Sequence, residues 1–145
     1  MKKIMVAWDG SETAARAFEK AAEISSKFEA ELHVVSVAQV PDYAETTEEY
    51  QGALEDAERF FERKGAMLEE AARKYGVEYE RKIIHGHPSR TLIEYAERGE
   101  FDLMVVGRKG RSALERFMVG SVTRRLAIYA PCPVLIVPKS GTRAW

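Results

Sequence analysis

What the chain lacks narrows its class first. It has a single cysteine, so no internal disulfide can form. That residue, Cys132, stands between Pro131 and Pro133 with no second metal ligand nearby in sequence, and its expected role is that of a small buried apolar side chain. Long apolar runs are absent too. The stretch 4–8 after Met1-Lys2-Lys3 is too short for a signal-peptide core or a membrane span, which predicts a cytoplasmic protein without membrane contact. There is no charge excess: 22 Lys and Arg stand against 23 Asp and Glu, a formal net charge of -1. This argues against general nucleic-acid binding, which relies on a basic surplus to displace phosphate counterions. Internal repeats and low-complexity tracts are missing as well.

What is present is 145 residues, 46% of them hydrophobic, enough for one domain with a proper core over residues 1–139. Residues 140–145 show no periodicity and read as a tail ending in Trp145. Five runs rich in β-branched residues, at 3–8, 31–37, 78–84, 102–107 and 133–137, read as strands. The first, fourth and fifth are nearly continuous apolar stretches, the pattern of strands covered on both faces. Helical patterns lie between them, which predicts β-α-β-α-β-α-β-α-β order and an α/β fold with a parallel sheet.

Ser11 is the candidate N-cap of the first helix, and Ala14, Ala17, Phe18, Ala21, Ala22 and Ile24 fall on one side of it. Spacings of three and four from Tyr50 to Tyr75 predict one long amphipathic rod that Gly76 ends. Pro88 opens and Gly99 closes the third helix; the fourth starts at Gly120-Ser121, with Ser121 as N-cap, and stops before Pro131. Residues 42–58 hold seven acids and no Lys or Arg, the composition of a solvated face.

In an open parallel sheet, ligands sit outside the carboxyl ends of the strands where the strand order reverses. Two loops qualify: Trp8-Asp9-Gly10-Ser11 after the first strand, and 107–121 after the fourth. With strand order 3-2-1-4-5 they face each other. The run Val105-Val106-Gly107-Arg108-Lys109-Gly110, followed after nine residues by Gly120-Ser121-Val122-Thr123, is wired as a phosphate cradle. Glycines allow close approach and positive φ, and the first turn of a helix offers unpaired amides at its positive end. The common nucleotide fingerprints are absent. The first turn has only Gly10, so G-x-G-x-x-G fails, and nothing matches G-x-x-x-x-G-K-[ST]. The third strand ends Ile84-His85-Gly86, without the acceptor aspartate of a receiver domain. Arg108, Lys109 and Arg111 are placed either to neutralise a triphosphate or to remain solvated surface charges. His85 and His87 lack a third group to orient them as general bases and are expected in structural or rim roles; His33 is expected in the core or on a sheet face.

From Gly107 the spacing is G-x2-G-x9-G-S, and with it the chain resembles the ATP-binding branch of the universal stress protein family over nearly its whole length. Residues 4–11 are similar to that family's first strand and acidic turn, Gly86-His87-Pro88 to its third-strand exit, and Pro133-Val134-Leu135-Ile136-Val137-Pro138 to its last strand. The resemblance implies a Rossmann-like, five-stranded parallel sheet of the adenine nucleotide alpha hydrolase type, order 3-2-1-4-5, with helices on both faces. It implies ATP with Mg²⁺ or Mn²⁺ as ligand: Asp9 near the ribose or the metal-bound phosphates, Ala7 and Val37 at the adenine. Val106, Gly107, Gly110, Gly120, Ser121, Val122 and Thr123 then wrap the ribose and triphosphate. Trp8 stands where the family usually has a small or β-branched residue, so the indole either reshapes the adenine side or packs into the core. A homodimer through the strand 134–137 is implied, since that edge is strongly apolar. The implied role is that of a nucleotide-dependent stress-response or signalling module with an unidentified protein partner. Two alternatives stand beside it. One is a slow ATP hydrolase or phosphotransferase, for which no water-orienting residue stands out. The other is a nucleotide-free dimeric scaffold, which the retained glycine motif argues against.

Overall fold

The computed structural model describes residues 1–39, 45–109 and 119–139. In chain order these form β1 (Lys3–Ala7), α1 (Glu12–Phe28), β2 (Glu31–Ala38), α2 (Thr47–Gly65), α3 (Leu68–Tyr75), β3 (Glu80–His85), α4 (Pro88–Arg98), β4 (Leu103–Gly107), α5 (Ser121–Tyr129) and β5 (Val134–Val137). The strands make one parallel sheet in the order β3-β2-β1-β4-β5. Arg111, Asp42 and the expected tail 140–145 lie outside the described residues.

Alternation along the strands explains the two cores. Ile4, Val6, Leu32, Val34, Leu103 and Val105 turn to one face, against Ala17 and Phe18 of α1, Phe61 of α2 and Leu68 of α3. Met5, Val35, Met104 and Val106 turn to the other, against Leu92 and Ala96 of α4 and Leu126 of α5. Because both faces are covered, the central strands β1 and β4 are apolar at nearly every position. Asp102 ties the chain start to β4: its Oδ2 accepts from the Lys2 and Lys3 amides at 2.7 and 2.9 Å.

The capping residues explain most helix ends. Ser11 has extended backbone, and its hydroxyl accepts from the Ala14 amide at 3.1 Å, as expected of an N-cap. Gly76 ends α3 in the left-handed conformation at φ 63°. The expected single rod from Tyr50 to Tyr75 is instead two helices. Arg81 on β3 causes the break: its Nη2 donates to the Phe61 carbonyl at 2.6 Å, in the space that a Gly65 side chain would fill. The chain then turns through i−3 bonds, from the Met67 amide to Lys64 O and from the Glu69 amide to Ala66 O, before α3 begins.

Two further expectations are corrected. Gly120, not Ser121, is the N-cap of α5: its backbone is extended and its carbonyl accepts the first helical bond, from the Arg124 amide at 2.9 Å. Cys132 is half-buried rather than buried, at the margin of the α4–α5 core. Desolvation, then the Asp102 charge, pushes its thiol pKa up, so it is no reactive thiolate. His33 is a half-buried sheet residue, edge-on to Phe101 with centroids 5.1 Å apart and its Nδ1 3.3 Å from the Glu80 carboxylate. Among the described residues, no helix is long and apolar enough to cross a membrane.

Candidate functional site

The carboxyl ends of β1 and β4 lie side by side at the centre of the sheet. From β1 the chain passes to α1 on one face, and from β4 to α5 on the other. That divergence opens a cleft of about 770 Å³, a volume suited to a small organic ligand. Ala7, Val35, Val37 and Val106, with Leu92 of α4, form its apolar wall on the α4–α5 side. Trp8, Ala14 and Phe61 line it from the α1–α3 side. Trp8 is 2% exposed. Its indole therefore packs in the core opposite the wall that holds Ala7 and Val37.

The hydrogen bonds give the cleft a polarity. Three successive carbonyls at the exit of β4 are engaged: Gly107 O accepts from Thr123 Oγ1 at 2.7 Å, Arg108 O from the Gly120 amide at 2.9 Å, and Lys109 O from Thr13 Oγ1. The first helical bond of α5 is made by the Arg124 amide, so the amides of Ser121, Val122 and Thr123 have no acceptor within the helix. These three residues line the cleft. Donors at a positive helix end are thus presented where acceptors are already paired, an arrangement that suits an anion. Lys109 adds a cationic side chain to the lining and is 8% exposed.

Asp9 faces this end of the cleft from β1. Its Oδ1 accepts from the Ser11 amide at 2.9 Å, which orients the carboxyl within the turn, and Gly10 supports that turn at φ 84°. Asp9 is the one acidic residue lining the cleft among the described residues, and no group of three or more His, Cys, Asp or Glu is placed to hold a metal there.

The structure gathers Ala7, Trp8, Asp9, Val37, Val106, Gly107, Lys109, Gly120, Ser121, Val122 and Thr123 around one cleft. Arg108 is not on its lining: its amide extends the sheet ladder to Val137 O at 2.9 Å. Gly110 lies outside the described residues. Gly107 and Gly120 do not adopt positive φ. Gly107 is a glycine for a packing reason, because a Cβ there would meet Thr13 at 2.8–2.9 Å. His85 and His87 are exposed and off the lining; His85 is edge-on to Tyr50, with centroids 6.2 Å apart.

Sequence reasoning placed the Ser11 loop at the cleft but missed Thr13, Ala14, Val35, Gln39, Phe61, Pro88 and Leu92 on the lining. Thr13 carried a readable signal, as a hydroxyl in the first turn of α1 directly after the Asp9 turn. Phe61 carried none, since its place depends on how α2 docks.

Fold and cleft together define a doubly wound parallel α/β protein whose sheet has an anion-ready site at its switch point. The chain belongs to the universal stress protein family, whose pattern it matches over residues 1–138. It is similar to a universal stress protein of Methanocaldococcus jannaschii, with 32% identity over 142 residues covering 95% of this chain and 82% of the relative. Among solved structures it is similar to the universal stress protein UspA from Lactobacillus plantarum, with 26% identity, a TM-score of 0.80 and coverage of 94% of this chain and 97% of the other. A universal stress protein solved in complex with cAMP is 28% identical, with a TM-score of 0.71 and coverage of 96% and 98%.

Proposed function

We propose that the chain binds an adenine nucleotide in this cleft, with ATP and Mg²⁺ or Mn²⁺ as its working ligands, and acts as a nucleotide-dependent stress-response or signalling module in the cytoplasm. The observation that carries this reading is the row of helix-start amides at Ser121, Val122 and Thr123 across the cleft from Asp9. In this reading the adenine lies against Ala7 and Val37, while Val106 and Gly107 flank the ribose. The phosphates meet the amides of 121–123 and Lys109, and Gly110 is assigned to them from its place in the glycine motif alone. Trp8 closes the floor from the opposite core. The bound cAMP of a relative 28% identical supports an adenine nucleotide as the ligand class.

One carboxylate plus phosphate oxygens is a usual way to hold Mg²⁺, and Asp9 fits that part. The metal would neutralise charge between Asp9 and the phosphates. Homodimerisation is supported by the edge position of β5, where Ile136 is exposed, and by exposed Ile128 and Tyr129 on α5.

Calorimetric titration with ATP and Mg²⁺, AMP and cAMP tests the proposal. Saturable binding is expected, and Gly120→Trp, which places an indole at the helix start without backbone strain, removes it while leaving the circular dichroism unchanged. Absence of binding at millimolar nucleotide overturns it.

A further inference from the structure

Among the described helices, α2 buries the smallest share of its residues. Of its 19 residues only Phe61 and Gly65 are buried, both near its C-terminal end, and elements with few buried contacts open at low free energy. Yet those last turns meet the cleft directly. Phe61 lines it, and the neighbouring Phe60 ring lies where a Cβ on Gly10 would meet it at 3.0 Å. Gly10 follows Asp9 in the turn that faces α5. Beyond Gly65 the helix stops two residues before α3, and Arg81 Nη2 holds the Phe61 carbonyl of its last turns, so undocking of those turns breaks that bond.

We propose that α2 reports occupancy of the cleft: it docks on the Asp9–Gly10 turn through Phe60, closes one wall with Phe61, and docks more tightly when a nucleotide is bound. A ligand that touches the Phe61 wall makes that contact only while α2 is docked, so it binds that state better and shifts the population toward it. Linkage makes the effect reciprocal, and loosening α2 weakens the ligand by the same factor. The exposed acids Glu48, Glu55, Asp56, Glu58 and Glu62 ride on the element that responds. Arg59, paired with Asp56, and Arg63 share that outer face, so cleft occupancy is transmitted to a charged, net acidic surface.

This inference rests on the nucleotide reading, and two measurements separate their failures. The first is hydrogen exchange with and without saturating AMP. If opening of α2 removes the site, protection of its last two turns rises toward the limit set by ligand excess, about 100-fold at a concentration 100 times Kd. A rise of at least about threefold beyond that of α3 is expected. AMP that binds without altering α2 exchange overturns the inference while leaving the nucleotide reading intact.

The second needs no ligand. Phe60→Ala, checked for folding by circular dichroism, should lower the hydrogen-exchange protection of the last two turns of α2 severalfold relative to α3. If wild-type protein binds no nucleotide, the function proposed above fails. The occupancy inference fails with it; where nucleotide does bind, α2 protection unchanged by Phe60→Ala overturns docking through Phe60.

Discussion

Replacing Gly65 by alanine should destabilise the protein, although alanine is the better helix former. A Cβ at Gly65 would lie 2.2 Å from Arg81 Nη2 and 2.4 Å from its Cζ, so the guanidinium must leave the Phe61 carbonyl to which it donates at 2.6 Å. A hydrogen bond from a charged donor contributes about 1.5–3 kcal/mol. Alanine over glycine returns up to about 1 kcal/mol in a helix, less at its end. The net expectation is a loss of about 0.5–2 kcal/mol. In an Arg81→Ala background the clash and the bond are both gone, so the same Gly65→Ala change should become stabilising by up to about 1 kcal/mol. Urea unfolding followed by circular dichroism on the four proteins of the cycle measures this. Equal effects of Gly65→Ala in both backgrounds would refute the close Arg81–Gly65 packing on which this expectation rests.

Thr123→Val keeps the shape but removes the donor to Gly107 O, and should cost about 1–2 kcal/mol in the same assay; wild-type stability would contradict the clamp between β4 and α5. Burial and the hydrogen bond to Glu69 push the Tyr79 pKa up to about 12, above its unfolded value of about 10. Its contribution is therefore complete below about pH 10 and lost as pH rises toward 12, and Tyr79→Phe should show a smaller loss of stability across that window. Asp102, held below the usual carboxylate range by the Lys2 and Lys3 amides, acts at the other end. Its contribution is present above about pH 4 and fades as pH falls through its lowered pKa, so Asp102→Asn should flatten the acid limb of a stability profile. On the dimer proposal, Ile136→Lys should lower the sedimentation mass from twice 16.4 kDa to 16.4 kDa; a monomeric parent protein would sink that proposal.

The sheet was legible because its physics is local. Val6, Met104 and Val105 sit in runs that only a doubly covered strand needs, and Ser11, Gly76 and Pro88 mark helix ends by chemistry that neighbours do not override. The facing of the Asp9 turn and the Gly120 helix start followed from strand order alone. The illegible parts depend on distant residues. The apolar period runs unbroken through Ala66 and Met67, and nothing beside it announces that Arg81, on another element, will interrupt it. Phe61 reads as one more apolar position of the rod, yet it becomes a wall of the cleft. Gly107 looks like a loop glycine made for an anion, while its missing side chain makes room for Thr13. Trp8 allowed two readings in sequence, and its indole meets both: it packs among the α1–α3 core residues and lines the cleft from that side.

The central claim is that the amides opening α5 hold a nucleotide's phosphates across from Asp9. Amide chemical-shift mapping during titration with ATP and Mg²⁺, with adenosine as the phosphate-free control, tests it most directly. The amides of Ser121, Val122 and Thr123 should shift strongly with ATP and little with adenosine. Saturable ATP binding that leaves those three amides unmoved would contradict the account.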